Sequence, residues 1–324
     1  MTRLSACFAL PGITGCNMTT PLQRRRLFGL AAGMVGAAGG VAVQAQVART
    51  DVLRKPVGPG GATWLPVIGL GSWITFNVGA DQQARAACVD VMREFLLAGG
   101  SLIDSSPMYG SSQPVIGAGL AQLGAHGQVF SADKVWTTGD GPAQIDASRR
   151  HWSVPRFDLL QVHNLLAWEK QLPLLFERKR AGQLQYVGVT TSHGRRHQDL
   201  EQLMQAFPLD FVQISYNIVD RVVEQRILPL ARERGIAVIA NRPFREGALI
   251  RAVQRHPLPA FAGELGCANW PEFLLKFIVS HPAVTCAIPA TSRVDHVREN
   301  MGAARGRLPD AAQRARMAAA VAAL

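Results

Sequence analysis

The sequence predicts an α/β fold, an eight-stranded (β/α)8 barrel of the TIM type, and three observations carry that prediction. Apolar runs of four to six residues alternate with helix-like segments after a polar lead. The alternation repeats eight times. Three successive runs reach an ionisable residue at their downstream side: Asp104, Lys134 and His163. Short buried runs between amphipathic helices imply parallel strands covered by helices. Eight rounds within roughly the 250 residues such a barrel uses favour closure.

The elements follow in order. Gly58-Pro59-Gly60-Gly61 marks a hairpin turn, and residues 65–70 read as the first buried strand. Asp81 can cap a helix whose Cys88, Val91, Met92 and Phe95 recur at helical spacing until Gly99-Gly100 stops it. Residues 101–104, 128–132, 157–162, 186–189, 211–215, 236–240 and 284–288 read as strands two to eight. Helices are expected at 113–123, 145–152, 172–180, 200–206, 224–234, 270–280 and 294–302. The Ala/Arg-rich tail, 303–324, reads as a helix without aromatic residues. An open doubly wound sheet is the alternative, but Gly69-Leu-Gly71-Ser-Trp73-Ile74 and Gly117-Ala-Gly119-Leu-Ala-Gln122 both lack the last glycine of G-x-G-x-x-G.

The 324 residues are 48% hydrophobic, enough for one large core, and carry a formal charge of +11. That surface suits solubility and an anionic cofactor. No nucleic-acid recognition motif accompanies it, so nucleic acid is not an expected partner. Five scattered cysteines, none in a C-x-x-C pair, indicate neither a zinc site nor a disulfide framework. His193 and His197 are spaced for one helical face, but two side chains do not make a metal site and solvent exposure is expected.

Residues 1–45 have the three-part shape of an export signal. Arg24-Arg25-Arg26-Leu27-Phe28-Gly29-Leu30 opens a Gly/Ala-rich apolar stretch, and Val43-Gln44-Ala45 supplies small residues for cleavage after Ala45. The arginine pair before x-Phe-x-Leu resembles the twin-arginine signal, implying the twin-arginine export machinery as a partner and a periplasmic or otherwise exported product. The stretch falls short of a stable membrane anchor. Met18 lies just upstream, so residues 1–17 can be an over-called start; residues 46–324 form the barrel domain.

In a barrel the working residues stand at the C-terminal strand ends. Asp104, Lys134 and His163 fall there, with Tyr109 in the loop after the second strand. Taken singly, Asp104 could cap a loop, Tyr109 pack between loops, Lys134 snorkel to the surface and His163 be a structural histidine. All four meeting at one barrel end is poorly explained that way. A carbonyl accepting hydride develops charge on oxygen and needs a proton or a strong hydrogen bond there. A free phenol, with a pKa of about 10, is a slow donor at neutral pH, and a nearby ammonium favours its phenolate. Lys134 can supply that charge, with Asp104 holding it.

These residues sit in segments that resemble the aldo-keto reductase family. The resemblance runs over about residues 52–302 through Gly69-Leu-Gly71-Ser-Trp73, Asp104-Ser-Ser-x-x-Tyr109-Gly110, Asp158-Leu-Leu-Gln-Val-His163, Gly182-Gln-Leu-Gln-Tyr-Val-Gly-Val-Thr190-Thr191 and Ile288-Pro-Ala-Thr-Ser292 with Glu299-Asn300. It implies an NADP(H)-dependent reductase of aldehydes or ketones, with NAD(H) as the other possible cofactor and a small-molecule carbonyl compound as substrate. Tyr109 is then the proton donor, Lys134 and Asp104 tune it, and His163 orients the carbonyl. By the same resemblance Thr190, Thr191 and Gln213 hold the nicotinamide carboxamide. Thr291, Ser292, Arg293 and His296 meet phosphate ahead of a helix, and Asn300 meets adenine. The residues depart from the family pattern at several places. Gln113 replaces the usual glutamate, Thr191 an asparagine and His296 an arginine, and Ala290 stands where some members have a phosphate-binding lysine. Asn241 stands where many members have a tyrosine stacked on nicotinamide, and Arg242 is expected to cover the ring instead. The other reading of these departures is a weakly catalytic nucleotide-sensing protein on the same barrel. Trp73, Met108 and Trp136 follow strand ends and are expected to line an open substrate pocket.

Overall fold

The computed structural model describes residues 52–324. The leader assigned to residues 1–45, its cleavage point after Ala45 and the alternative start at Met18 lie outside the described residues.

The chain enters through a hairpin, β1 (Arg54–Pro56) and β2 (Trp64–Pro66), paired antiparallel with Lys55 opposite Leu65. The Gly/Pro segment 58–61 is its turn, with Gly58 and Gly60 at positive φ. The hairpin divides the run 65–70 expected as one strand. Its first half pairs with β1, and only its second half enters the barrel as β3 (Leu70–Gly71). The barrel continues through β4 (Leu102–Asp104), β5 (Phe130–Val135), β6 (Phe157–Val162), β7 (Leu184–Thr190), β8 (Phe211–Ser215), β9 (Ala237–Asn241) and β10 (Cys286–Ala287). Each strand pairs in parallel with the next in chain order. Closure comes from the segment leading into β3. Gly69 N–H donates to the Ala287 carbonyl (2.8 Å), Ala287 N–H to Val67 (2.9 Å), and Gly71 N–H to Pro289 (3.0 Å). A Cβ at Gly71 would lie 2.8 Å from the Ile288 carbonyl oxygen, so the seam needs glycine there.

Between the strands run α1 (Gln82–Leu97), α2 (Ser112–Leu123), α3 (Gly141–Trp152), α4 (Trp168–Arg180), α5 (His197–Ala206), α6 (Ile227–Glu233), α7 (Ala248–Val253), α8 (Trp270–Val279) and α9 (Val294–Gly302), followed by α10 (Ala311–Ala322). Asp81 caps α1 as expected, its carboxylate accepting from Ala84 N–H at 3.0 Å. The tail helix α10 begins in a capping box built by Asp310 and Gln313. It is pinned by Arg314, which donates to Tyr216 Oη (2.6 Å) and Glu224 (3.0 Å), and no residue of 303–324 borders the cleft described below. Among the described residues no helix is long and apolar enough to cross a membrane.

The inner faces of the strands explain where the site lies. Side chains alternate in and out along each strand. Leu102, Phe130, Ala132, Leu159, Tyr186, Phe211, Ala237 and Ile239 point inward and pack as one apolar cluster. One step further along the same faces, or two on β7, the inward residue changes to Asp104, Lys134, Gln161, Thr190, Gln213 and Asn241. The lower barrel is therefore a packed plug, and its C-terminal layer is polar.

Candidate active site

That polar layer forms the floor of a cleft of ≈ 500 Å³ at the C-terminal end of the barrel. Asp104, Tyr109 and His163 are on its wall, together with Trp73, Met108, Thr190, Gln213 and Arg242. Lys134 is buried directly behind Tyr109, its ammonium 4.9 Å from the phenol ring centre. The four candidate catalytic residues thus meet as the sequence anticipated.

The buried ion pair is the centre of this arrangement. Lys134 Nζ donates to Asp104 Oδ2 (2.5 Å) and to the Ser105 carbonyl (2.8 Å). The other Asp104 oxygen accepts from Gln213 Nε2 (2.8 Å), with Gln161 Nε2 at 3.4 Å. Burial acts to lower the Lys134 pKa, but the negative charge of Asp104 and the phenol oxygen of Tyr109 outweigh it, and the ammonium is held above its ordinary value.

Tyr109 corrects the expectation of an acidified phenol. Dehydration in the cleft pushes its pKa above the ordinary 10, and Lys134 pulls it only part of the way back. The resting group is a neutral phenol with its proton in place. The loop carrying Tyr109 is fixed by local bonding: Tyr109 N–H donates to the Ser106 carbonyl (2.9 Å) and Ser112 N–H to the Tyr109 carbonyl (3.2 Å). Gly110 follows at φ 60°, where a Cβ would fall 2.2 Å from the Asn77 side chain, so the turn requires glycine. Asn77 accepts from Ser111 N–H (2.9 Å) and closes the loop.

His163 presents its ring edge-on to Tyr109, with centroids 5.7 Å apart and planes at 85°. Burial, helped by the Lys134 charge, lowers its pKa to about 2, so it is neutral at any physiological pH. The unfolded chain takes up a proton near pH 6.5 that the folded one refuses, so stability is lost as pH falls below 6.5 towards 2. The expected slope from this group is up to about 1.4 kcal/mol per pH unit. Denaturant titrations at pH 4.5 and 7.5 should therefore show a smaller difference for His163→Gln than for wild type.

Gln113, the departure from the family's glutamate, has a structural reason that the sequence did not reveal. Its amide donates to Asp133 Oδ2 (2.7 Å) and to Ser148 Oγ (2.9 Å) in the layer between β5, α2 and α3. Asp133 is fully buried, and burial raises its pKa to about 7. The carboxylate of this cluster thus sits on the strand and the amide on the helix, anchoring the start of α2 just after the Tyr109 loop. Gln113→Glu would place two carboxyl groups together in a dry layer. It is expected to destabilise the fold by at least about 2 kcal/mol at pH 8, with the deficit shrinking at pH 5 as one carboxyl takes a proton and donates to the other. Equal denaturant midpoints at pH 8 would refute this account.

The carboxamide residues offer a complementary pair. Thr190 Oγ1 accepts from Asn164 N–H (2.9 Å), leaving its O–H free to donate. Gln213 spends its Nε2 on Asp104 and keeps Oε1, which only Asn241 approaches, at 3.4 Å. A free donor and a carbonyl oxygen with a lone pair to spare fit a carboxamide. Thr191 is buried with an unpartnered hydroxyl, next to the wall but not on it. Asn241 accepts from Ser215 Oγ (2.7 Å) and donates to the Thr191 carbonyl (3.0 Å), so it ties the ends of three strands together. Arg242 is on the wall, but its guanidinium is engaged by Glu246 and by His193 Nε2 at 2.5 Å. The structure thus gives it an occupation other than the free ring cover expected from sequence. His193 is exposed in the loop before α5 and His197 partly buried at its first position, so the two do not share a helical face.

The residues expected to meet phosphate follow Ala290, the last wall residue of this segment. Thr291 Oγ1 accepts from Arg293 N–H (3.1 Å) and lies 3.3 Å from His296 Nδ1 ahead of α9. Ser292, Arg293 and His296 are exposed, Asn300 is buried, and Arg293 is paired with Asp295. Trp136 is exposed and stands outside the cleft wall. Wall residues that sequence reasoning missed include Ser72, Ile74, Asn164, Ser192 and Phe244. Asn164, at φ 52°, and Ser192 are linked side chain to side chain at 3.1 Å.

Comparison with known proteins fits this geometry. The Aldo/keto reductase family profile matches residues 67–320. The chain belongs to that family. Methylglyoxal reductase YeaE of Escherichia coli K12 is 28% identical over 261 residues, covering 76% of this chain and 88% of the relative. The NADH-specific methylglyoxal reductase of the same organism is 25% identical over 322 residues, covering 80% and 95%. An aldo-keto reductase from Klebsiella pneumoniae, solved with NADPH, superposes with a TM-score of 0.70 at 20% identity, covering 83% of this chain and 95% of the other.

Proposed function

We propose that this aldo-keto reductase reduces aldehydes or ketones to alcohols using NADP(H), with NAD(H) as the other candidate. The observation that carries the reading is a neutral phenol at a cleft wall, backed by a buried ammonium–carboxylate pair and flanked by a neutral imidazole. A nicotinamide dinucleotide, when bound, supplies the hydride. Thr190 and Gln213 would hold its carboxamide. The segment from Thr291 to His296, with Asn300, would meet its phosphate and adenine. The preference for NADP(H) rests on the basic residues of that segment and on the NADPH complex of the Klebsiella relative. The NADH-specific relative keeps NAD(H) open.

The residues of the chain then act in a defined order. His163 donates a hydrogen bond to the carbonyl oxygen and fixes its direction. As charge develops on that oxygen, Tyr109 transfers its phenolic proton to it. Lys134 stabilises the resulting phenolate, and Asp104 keeps Lys134 charged and in place. Trp73 and Met108 border the same cleft and would contact the carbonyl compound's substituents. The two methylglyoxal reductases among the relatives support a small carbonyl substrate. Following NADPH and NADH oxidation with methylglyoxal and with nitrobenzaldehyde tests the proposal. Multiple turnover is expected, and no oxidation with either cofactor across a carbonyl panel would overturn it.

We propose further that the protein is exported. The arginine pair Arg25-Arg26 before Leu27-Phe28-Gly29-Leu30 and the small residues up to Ala45 support the twin-arginine route to the periplasm or beyond. Cell fractionation should find the processed chain outside the cytoplasm and an Arg25→Lys, Arg26→Lys double variant inside it. An unprocessed cytoplasmic wild type would exclude this.

A further inference from the structure

We infer that Ser106 is a positioning residue for the reaction: its hydroxyl fixes the tautomer of His163, placing the ring proton on Nε2, the nitrogen not bonded to Ser106. The inference rests on the proposed carbonyl reduction for its functional meaning, but its structural content stands alone.

Donors and acceptors around the two side chains decide the tautomer. Ser106 is fully buried, and its Oγ lies 2.9 Å from His163 Nδ1. The same oxygen accepts from Met108 N–H at 3.2 Å, closing a short turn across Pro107, which has no N–H of its own. One lone pair of Ser106 is therefore spent, and its single O–H proton must still find an acceptor. Among the described contacts the only one at hand is Nδ1 of His163. If His163 carried its proton on Nδ1, that N–H would donate to Ser106 and the Ser106 O–H would be left buried without a partner, which protein interiors avoid. The opposite tautomer satisfies both groups of this contact. Ser106 donates to Nδ1, and Nε2 carries the proton.

Both tautomers are neutral, so the depressed basicity of His163 cannot choose between them. The choice matters because only a protonated Nε2 can donate to a substrate oxygen, whereas a bare Nε2 would turn a lone pair towards it. Ser106 lies three residues before Tyr109 in the same loop, and its carbonyl accepts the Tyr109 N–H. One residue thus couples the placement of the phenol to the protonation pattern of the imidazole.

The test is ring-nitrogen NMR on the full chain labelled with 15N-histidine, which reads the tautomer without any turnover. The His163 signals are assigned by their loss in His163→Gln. Wild type is expected to show a bare Nδ1 and a protonated Nε2 across neutral pH. Ser106→Ala should shift the ring towards the other tautomer and lower kcat by roughly tenfold, with dinucleotide affinity unchanged. Ser106→Thr, which keeps the hydroxyl, should return both readouts towards wild type. A protonated Nδ1 in wild type, or an unchanged tautomer in Ser106→Ala, would overturn the inference. A wild-type spectrum of the expected form in a protein that reduces no carbonyl compound would support the tautomer assignment and count against the proposed function alone.

Discussion

Tyr109→Phe is expected to lower kcat by roughly two to four orders of magnitude, the usual contribution of a positioned general acid. The change removes one oxygen and little else. The ring keeps its edge contact with His163 and its place over the Lys134 ammonium. The ion pair behind it keeps its contacts with the Asp104 carboxylate and the Ser105 carbonyl, and loses only its interaction with the phenol oxygen. Dinucleotide affinity, followed by fluorescence titration, should therefore stay within about twofold while turnover collapses, since binding and proton transfer depend on different groups. The residual rate comes from the hydrogen bond of His163, which polarises the carbonyl but does not give up a proton. A pH profile adds a second check. Because dehydration holds the phenol above its ordinary value, reduction by the wild type should show no alkaline loss attributable to Tyr109 below about pH 10. Wild-type turnover in Tyr109→Phe would remove the phenol from the mechanism.

The legibility of this site in the sequence was uneven, and each gap has a physical origin. Parallel strands carry their C-terminal ends to one face, so residues far apart in sequence, such as Asp104 and His163, could be joined by topology alone. Strand ends were harder to place. Residues 128–132 read as the third strand, two residues out of register at its start and three short at its end. The strand in fact runs from Phe130 to Val135, since both charges are buried and satisfied, Asp133 by Gln113 and the Lys134 N–H, and Lys134 by Asp104 and Ser105. Apolar runs also do not announce their partners. Residues 65–70 form one hydrophobic run, yet Leu65 belongs to the entry hairpin and Leu70 to the barrel. The six-residue helix Ala248–Val253 is too short for its periodicity to register. Ser106, Asn164 and Ser192 were invisible because a small polar side chain has no sequence signature; its meaning lies in the atoms it meets across the cleft.

Lys134→Met carries the largest expected effect on stability, about 3–5 kcal/mol at pH 7. Methionine has nearly the length of lysine but no charge and no donor. Its introduction would leave Asp104, almost fully buried, as an uncompensated carboxylate held only by the Gln213 and Gln161 amides. Those two bonds are satisfied already, so they cannot make up the loss. The double variant Asp104→Asn, Lys134→Met separates charge from packing. The substituted asparagine keeps an acceptor for Gln213 while removing the buried charge, so the double variant should recover roughly half or more of the lost stability, as neutral replacements of buried ion pairs commonly do. It should remain inactive, because no cation is left to stabilise the Tyr109 phenolate. Denaturant midpoints of the single and double variants at pH 7.5, beside their turnover, make the check. A single variant as stable as wild type would mean that the Lys134–Asp104 contact does not hold the fold, and the ion pair would lose its place at the centre of the site.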